Sequence, residues 1–111
     1  MKPPRRIKLG GHVWTLHLGE IPKKYEEYFG DQLENLFGCT NRENMEIWIS
    51  TKYPPAVQKQ TLLHELMHAM AYAFVPQSFS AFDEKEIERL SCALYALFEQ
   101  NKPLIEWLTK E

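Results

Sequence analysis

The chain has 111 residues, with 13 lysines and arginines against 15 aspartates and glutamates and a formal net charge of −2. That length makes residues 1–111 a single domain with a real core, and the near balance of charge excludes a general nucleic-acid or membrane-surface binder. No apolar run reaches the roughly 18–20 residues of a bilayer span, and the N-terminus lacks the apolar stretch of a secretory signal. The two cysteines, Cys39 and Cys92, lie far apart with no CxxC spacing. Free buried thiols in a reducing compartment are expected, which makes the cytoplasm the expected location.

Lys2, Arg5 and Arg6, interrupted by Pro3 and Pro4, read as a solvated arm. Arg5 to Leu9 and His12 to Leu18 flank Gly10-Gly11, the signature of a β-hairpin with a two-residue turn. Alternation along the second run turns Trp14, Leu16 and Leu18 inward. Pro22 opens a short helix carrying Tyr25, Tyr28 and Phe29, which Gly30 interrupts. Phe37 to Thr40 starts a strand and Asn41 to Asn44 is a polar turn. Met45 to Ser50 is a clear strand in which Met45, Ile47 and Ile49 alternate with Glu46, Trp48 and Ser50. Thr51 to Pro55 connects to a helix over Ala56 to Phe74, stopped before Pro76.

A linker over Gln77 to Phe82 leads to a second long helix from Asp83 to Gln100. Ser80 with Asp83, or Asp83 with Glu86, supplies a capping-box start. Ile87, Leu90, Leu94, Leu97 and Phe98 form one apolar stripe along this helix. After a break at Asn101 to Pro103, a last short helix with Leu104, Ile105, Trp107 and Leu108 is expected to pack over the core. Strands come first and helices follow, which predicts an α+β domain with a small antiparallel or mixed sheet.

The stretch Thr61 to Met70, TLLHELMHAM, carries the chemistry. His64, Glu65 and His68 stand in the order HExxH. Residues four apart share one helical face, so the two imidazoles can bind a single Zn²⁺. Glu65 then lies where it can take a proton from water. Two half-buried histidines beside a buried glutamate would otherwise leave desolvated polar groups unpaired. Zinc is therefore the expected cofactor.

A catalytic zinc takes three protein ligands, and no histidine follows His68. The candidates are Asp83, Glu84, Glu86 and Glu88, with His12 and His17 of the hairpin as weaker ones. With Ile87 at the centre of the stripe, Glu84 and Glu88 fall on one flank and Glu86 on the other. Glu88, deeper in the helix, is the expected third ligand, with Glu84 in reserve. Tyr95 shares the flank of Glu88 and Tyr72 the face of His68; packing is the expected role of both.

With Thr61 three residues before His64, the motif also fits the longer zincin consensus. The stretches MEIWISTKYPPAVQKQTLLHELMHAM and EIERLSCALYALFEQNKPLIEWL resemble small, often phage- or prophage-borne, zincin-like metallopeptidases related in style to the ImmA/IrrE metallopeptidases. The resemblance covers residues 45–109. It implies a minimal zincin-like domain and a third-ligand glutamate four residues before a small or polar position, which Glu88 before Cys92 matches. The related pattern often has asparagine where Cys92 stands, and the larger relatives often carry a DNA-binding domain for which there is no room here. The implied activity is hydrolysis of peptide bonds in a protein or peptide substrate, with Glu65 as base and Met45 to Ser50, if at the sheet edge, holding an extended peptide. The other reading is a zinc-stabilised interaction module without peptidase activity.

Overall fold

The computed structural model describes residues 3–9, 11–74 and 83–110. Four strands, β1 (Arg6–Leu9), β2 (His12–Leu18), β3 (Gly38–Asn41) and β4 (Glu46–Ile49), form one sheet in the order β1-β2-β4-β3. Four α-helices are present among these residues: α1 (Glu26–Phe29), α2 (Pro55–Phe74), α3 (Glu84–Gln100) and α4 (Lys102–Thr109). The chain is a small α+β domain.

The N-terminal hairpin forms as the sequence predicts. Leu9 pairs with His12, and Gly11 takes a φ of +84°, which glycine adopts at little cost. β2 then runs parallel to β4, from Thr15 opposite Glu46 to Leu18 opposite Ile49, while β3 pairs antiparallel to β4. This mixed order corrects one expectation. The strand over Met45 to Ser50 is flanked on both sides, and the edge beside α2 is β3.

Trp14, Leu16, Ile47 and Ile49 face α2 and are buried together with Ala69, whose small side chain lets the helix approach; Leu62 and Leu66 complete the layer. Leu18 does not join them and stays 40% exposed. The pairing of β1 with β2 ends at Arg6 opposite Thr15, so Leu18 sits at a corner of the sheet with β4 alone beside it.

The other sheet face packs Trp48 and Cys39 against Ile21, Tyr25, Leu33 and Leu36. The expected helix after Pro22 is a 3₁₀ turn over Lys23–Tyr25, then α1, then a second 3₁₀ segment over Gly30–Asn35. Of its three aromatics only Tyr25 is buried. Its hydroxyl donates to Glu46 Oε1 at 2.5 Å, Lys24 Nζ reaches the same oxygen at 2.8 Å, and Asn41 Nδ2 donates to the tyrosine oxygen at 3.0 Å. Burial pushes the Glu46 carboxyl up, but the Lys24 and Tyr25 hydrogen bonds outweigh it and hold its pKa below the usual range.

α2 begins at a proline, which has no N–H to waste in the first turn. α3 is capped by Asp83, whose side chain accepts from the Glu86 amide at 2.8 Å. The linker Gln77 to Phe82 and the Ser80 cap lie outside the described residues. On α3 only Ile87 and Ser91 are fully buried, whereas Leu90, Leu97 and Phe98 of the predicted stripe are exposed. α4 has no buried residue and packs on α3 rather than over the core. Among the described residues no helix is long and apolar enough to cross a membrane.

Candidate metal centre

α2 and α3 run antiparallel, and their contact line carries the polar groups. Gln60 Nε2 donates to Ser91 Oγ at 3.4 Å and reaches Cys92 Sγ at 3.1 Å; four residues on, His64 meets Glu88 and Glu84. Ile87, 1% exposed, is buried on this side of α3 and lines a cavity together with Glu65 and His68. Ser91, fully buried, is satisfied because its hydroxyl donates to the Glu88 carbonyl at 3.0 Å.

The two carboxylates address different nitrogens of one ring. Glu88 Oε2 lies 2.6 Å from His64 Nδ1, and Glu84 Oε1 lies 2.5 Å from His64 Nε2. The second oxygen of Glu84 is 3.1 Å from His68 Nε2. Glu84 thus bridges the two Nε2 atoms. Among the described residues His64, His68 and Glu84 form a group whose donor atoms all lie within 4.8 Å of one another.

This donor set fits a cation. A neutral His64 that donates Nδ1–H to Glu88 has only a lone pair at Nε2, and Glu84 offers only lone pairs in return. Two acceptors at that separation need either a second proton on the ring or a positive ion between them. Two imidazoles with one carboxylate are a donor set that zinc takes in catalytic sites. Electrostatics concur with the crowding of negative charge. Burial pushes His64 down, but Glu65 and Glu84 outweigh it and raise its pKa above the usual imidazole value. In His68 burial prevails over the attraction of Glu84, and its pKa falls.

Glu65 lies on the inner side of α2, 7% exposed. Its Oε1 accepts a 2.7 Å hydrogen bond from Thr40 Oγ1 on the edge strand β3. Burial raises the Glu65 pKa, with the Thr40 bond and His64 opposing it. Cavities open on both sides of the cluster. One of about 580 Å³ runs past Thr40, Arg42, His68, Tyr72 and Glu84; another of about 460 Å³ is walled by Leu36, Phe37, Val57, His64 and Glu88.

The sequence-predicted residues thus divide as follows. His64, Glu65, His68, Glu84 and Glu88 come together on α2 and α3. Glu86 stands apart, donating its amide to the Asp83 cap. His12 is exposed, and His17 stacks on Trp48 with ring centroids 4.2 Å apart, on the sheet face away from α2. Tyr72 lines the larger cavity and meets Trp14 edge-on at 6.4 Å. Tyr95 pairs with Glu99. Both cysteines are free, Cys39 buried as expected and Cys92 exposed beside Glu88. Thr40 is the residue that sequence reasoning missed; only its place in a strand was legible. The chain matches no protein-family model, no curated protein and no solved structure.

Proposed function

We propose that the chain is a minimal zincin-like zinc metallopeptidase. The observation that carries this reading is the convergence of His64, His68 and Glu84 within 4.8 Å beside the buried carboxylate of Glu65. In this proposal His64, His68 and Glu84 hold the zinc. Glu88, which the sequence reading favoured as ligand, takes the orienting place, since it faces the ring nitrogen turned away from Glu84 and His68.

Zinc, when bound, supplies the positive charge that polarises a carbonyl and acidifies water towards a pKa of ~7. Glu65 takes a proton from the attacking water and delivers it to the leaving amine. Thr40 holds one oxygen of Glu65 and so fixes the direction in which the other can act. The strand β3, at the edge of the sheet among the described residues, takes over the role first expected of Met45 to Ser50 and binds an extended peptide across the two cavities.

Metal analysis of the purified chain, together with cleavage of a denatured protein substrate by wild type and Glu65→Gln, tests the proposal. The expected result is one zinc per chain in both proteins and cleavage only by wild type. Stoichiometric zinc with no cleavage by either protein supports the zinc-stabilised interaction module instead. Absence of stoichiometric zinc in wild type refutes both readings.

A further inference from the structure

α3 outruns the helix it packs on. Gln60 lies opposite Ser91 and Cys92, and His64 opposite Glu88 and Glu84, so in an antiparallel pair Pro55, where α2 starts, falls opposite roughly residue 96. The last turn of α3 and all of α4 therefore project past α2 as a helical arm, in which α4 packs substantially on α3 alone. This arm carries the most exposed tryptophan side chain of the described residues. Trp107 is 74% exposed, Leu108 61%, Leu97 42%, Leu104 39% and Phe98 38%.

The apolar residues of α4 share one face. At ~100° per residue Leu104, Trp107 and Leu108 fall within about 100° of arc, while Lys102 and Glu106 occupy the opposite side. The face has no charged side chain that would select an acidic or basic partner.

We infer that this arm is the interface of a homodimer, in which a second copy of the chain covers Leu97, Phe98, Leu104, Trp107 and Leu108. The exposed area meets what a stable dimer needs. From their fractional exposures the five side chains leave roughly 500 Å² of apolar surface in water, as large as the biggest patch of an ordinary monomer. Interfaces are about 60% apolar, so 500 Å² of apolar surface corresponds to roughly 800 Å² per partner with its polar rim, the size of a standard stable interface. A two-fold axis places the face against itself. The arm lies beyond the N-terminal end of α2, and the larger of the two cavities, past His68 and Tyr72, lies towards the other end of that helix.

Sedimentation equilibrium of the full chain from about 1 to 200 µM reads the outcome directly. The expected result is a monomer–dimer equilibrium with a micromolar dissociation constant, accompanied by a blue shift of tryptophan emission as concentration rises. Trp107→Glu and Leu108→Glu are each expected to weaken association at least tenfold, with circular dichroism melts unchanged at concentrations well below the dissociation constant, where every protein is monomeric and neither side chain is buried. A wild type that stays monomeric over the whole range overturns the inference, whether or not it binds lipid vesicles or another protein through this face. A dimer that both variants leave intact overturns it too. The measurement is independent of zinc and of cleavage.

Discussion

Exchanging Glu84 and Glu88 for glutamine, one at a time, tests the proposed division in which Glu84 holds the metal and Glu88 the ring. Both lie one turn apart on α3, and both touch His64, but on opposite nitrogens at 2.5 and 2.6 Å. Glu88→Gln keeps an acceptor near Nδ1 and loses the charge. The carboxylate is 56% exposed, so solvent already screens part of its pull. Cys92 Sγ at 3.5 Å from its other oxygen also restrains it. The expected loss is that of an orienting partner, about 10–100-fold in zinc affinity, equivalent to roughly 1.4–2.8 kcal/mol. Glu84→Gln removes the one carboxylate among the described residues that reaches both Nε2 atoms, so it is expected to lower affinity by more than ~100-fold. Competition with a chromogenic zinc chelator gives both numbers on the purified chain, and stoichiometry checks that one ion is being followed. If Glu88→Gln abolishes stoichiometric binding while Glu84→Gln leaves affinity intact, the assignment from facing nitrogens is wrong and Glu88 is the ligand.

Three other changes probe the frame around the cluster. An added Cβ at Gly38 would stand 2.8 Å from both Thr61 Cγ2 and the Trp48 carbonyl oxygen and 3.2 Å from Ile49 Cδ1, and the carbonyl cannot swing away. Gly38→Ala is expected to cost about 1–3 kcal/mol in urea denaturation; a change within ~0.5 kcal/mol would mean that β3 and α2 approach less closely. Thr40→Val removes the donor to the buried Glu65 carboxylate and is expected to destabilise by about 1–3 kcal/mol, with Thr40→Ser recovering most of the loss. Serine behaving like valine would assign the effect to the methyl group instead. Glu46 has a depressed folded pKa, so it adds stability above its unfolded value near ~4.3, and that stability is lost as pH falls through the folded value. Glu46→Gln is expected to flatten the acid limb of stability against pH; an unchanged slope in thermal melts between about pH 2 and 6 contradicts the assigned hydrogen bonds.

Local patterns carried the sequence reading as far as local physics reaches. The helix expected from Ala56 to Phe74 begins one residue earlier, at Pro55, and the Asp83–Glu86 cap forms at the start of α3. Strand alternation correctly buried Trp14, Leu16, Ile47 and Ile49. What failed were the questions settled by pairing across the chain. Alternation marks β4 as a strand but says nothing of its two neighbours, and only the parallel pairing with β2 makes it interior. Leu18 belongs to the inward set by parity and is exposed because its neighbouring strand ends first. The apolar stripe on α3 told which face would bury, not how far α2 would reach to cover it.

The same limit explains the two carboxylates. Glu84 and Glu88 are four apart, so helical periodicity puts them on one face and cannot rank them. The ranking depends on the offset at which α3 lies along α2, an offset seen in Gln60 meeting Ser91 and Cys92. A shift of one turn along the pair would move Glu88 towards the place of Glu84. Thr40 depends on a third element again, since its hydroxyl reaches Glu65 only because Thr40 pairs with Ile47 and so faces α2. HExxH therefore specifies two imidazoles and a carboxylate by itself, whereas the remaining groups are placed by the seating of α3 on α2 on one side and a strand register on the other. Core packing and site geometry are in this sense one problem. A substitution at Gly38 reaches the cluster without touching it, because Gly38 lets the strand that carries Thr40 approach Thr61 of α2.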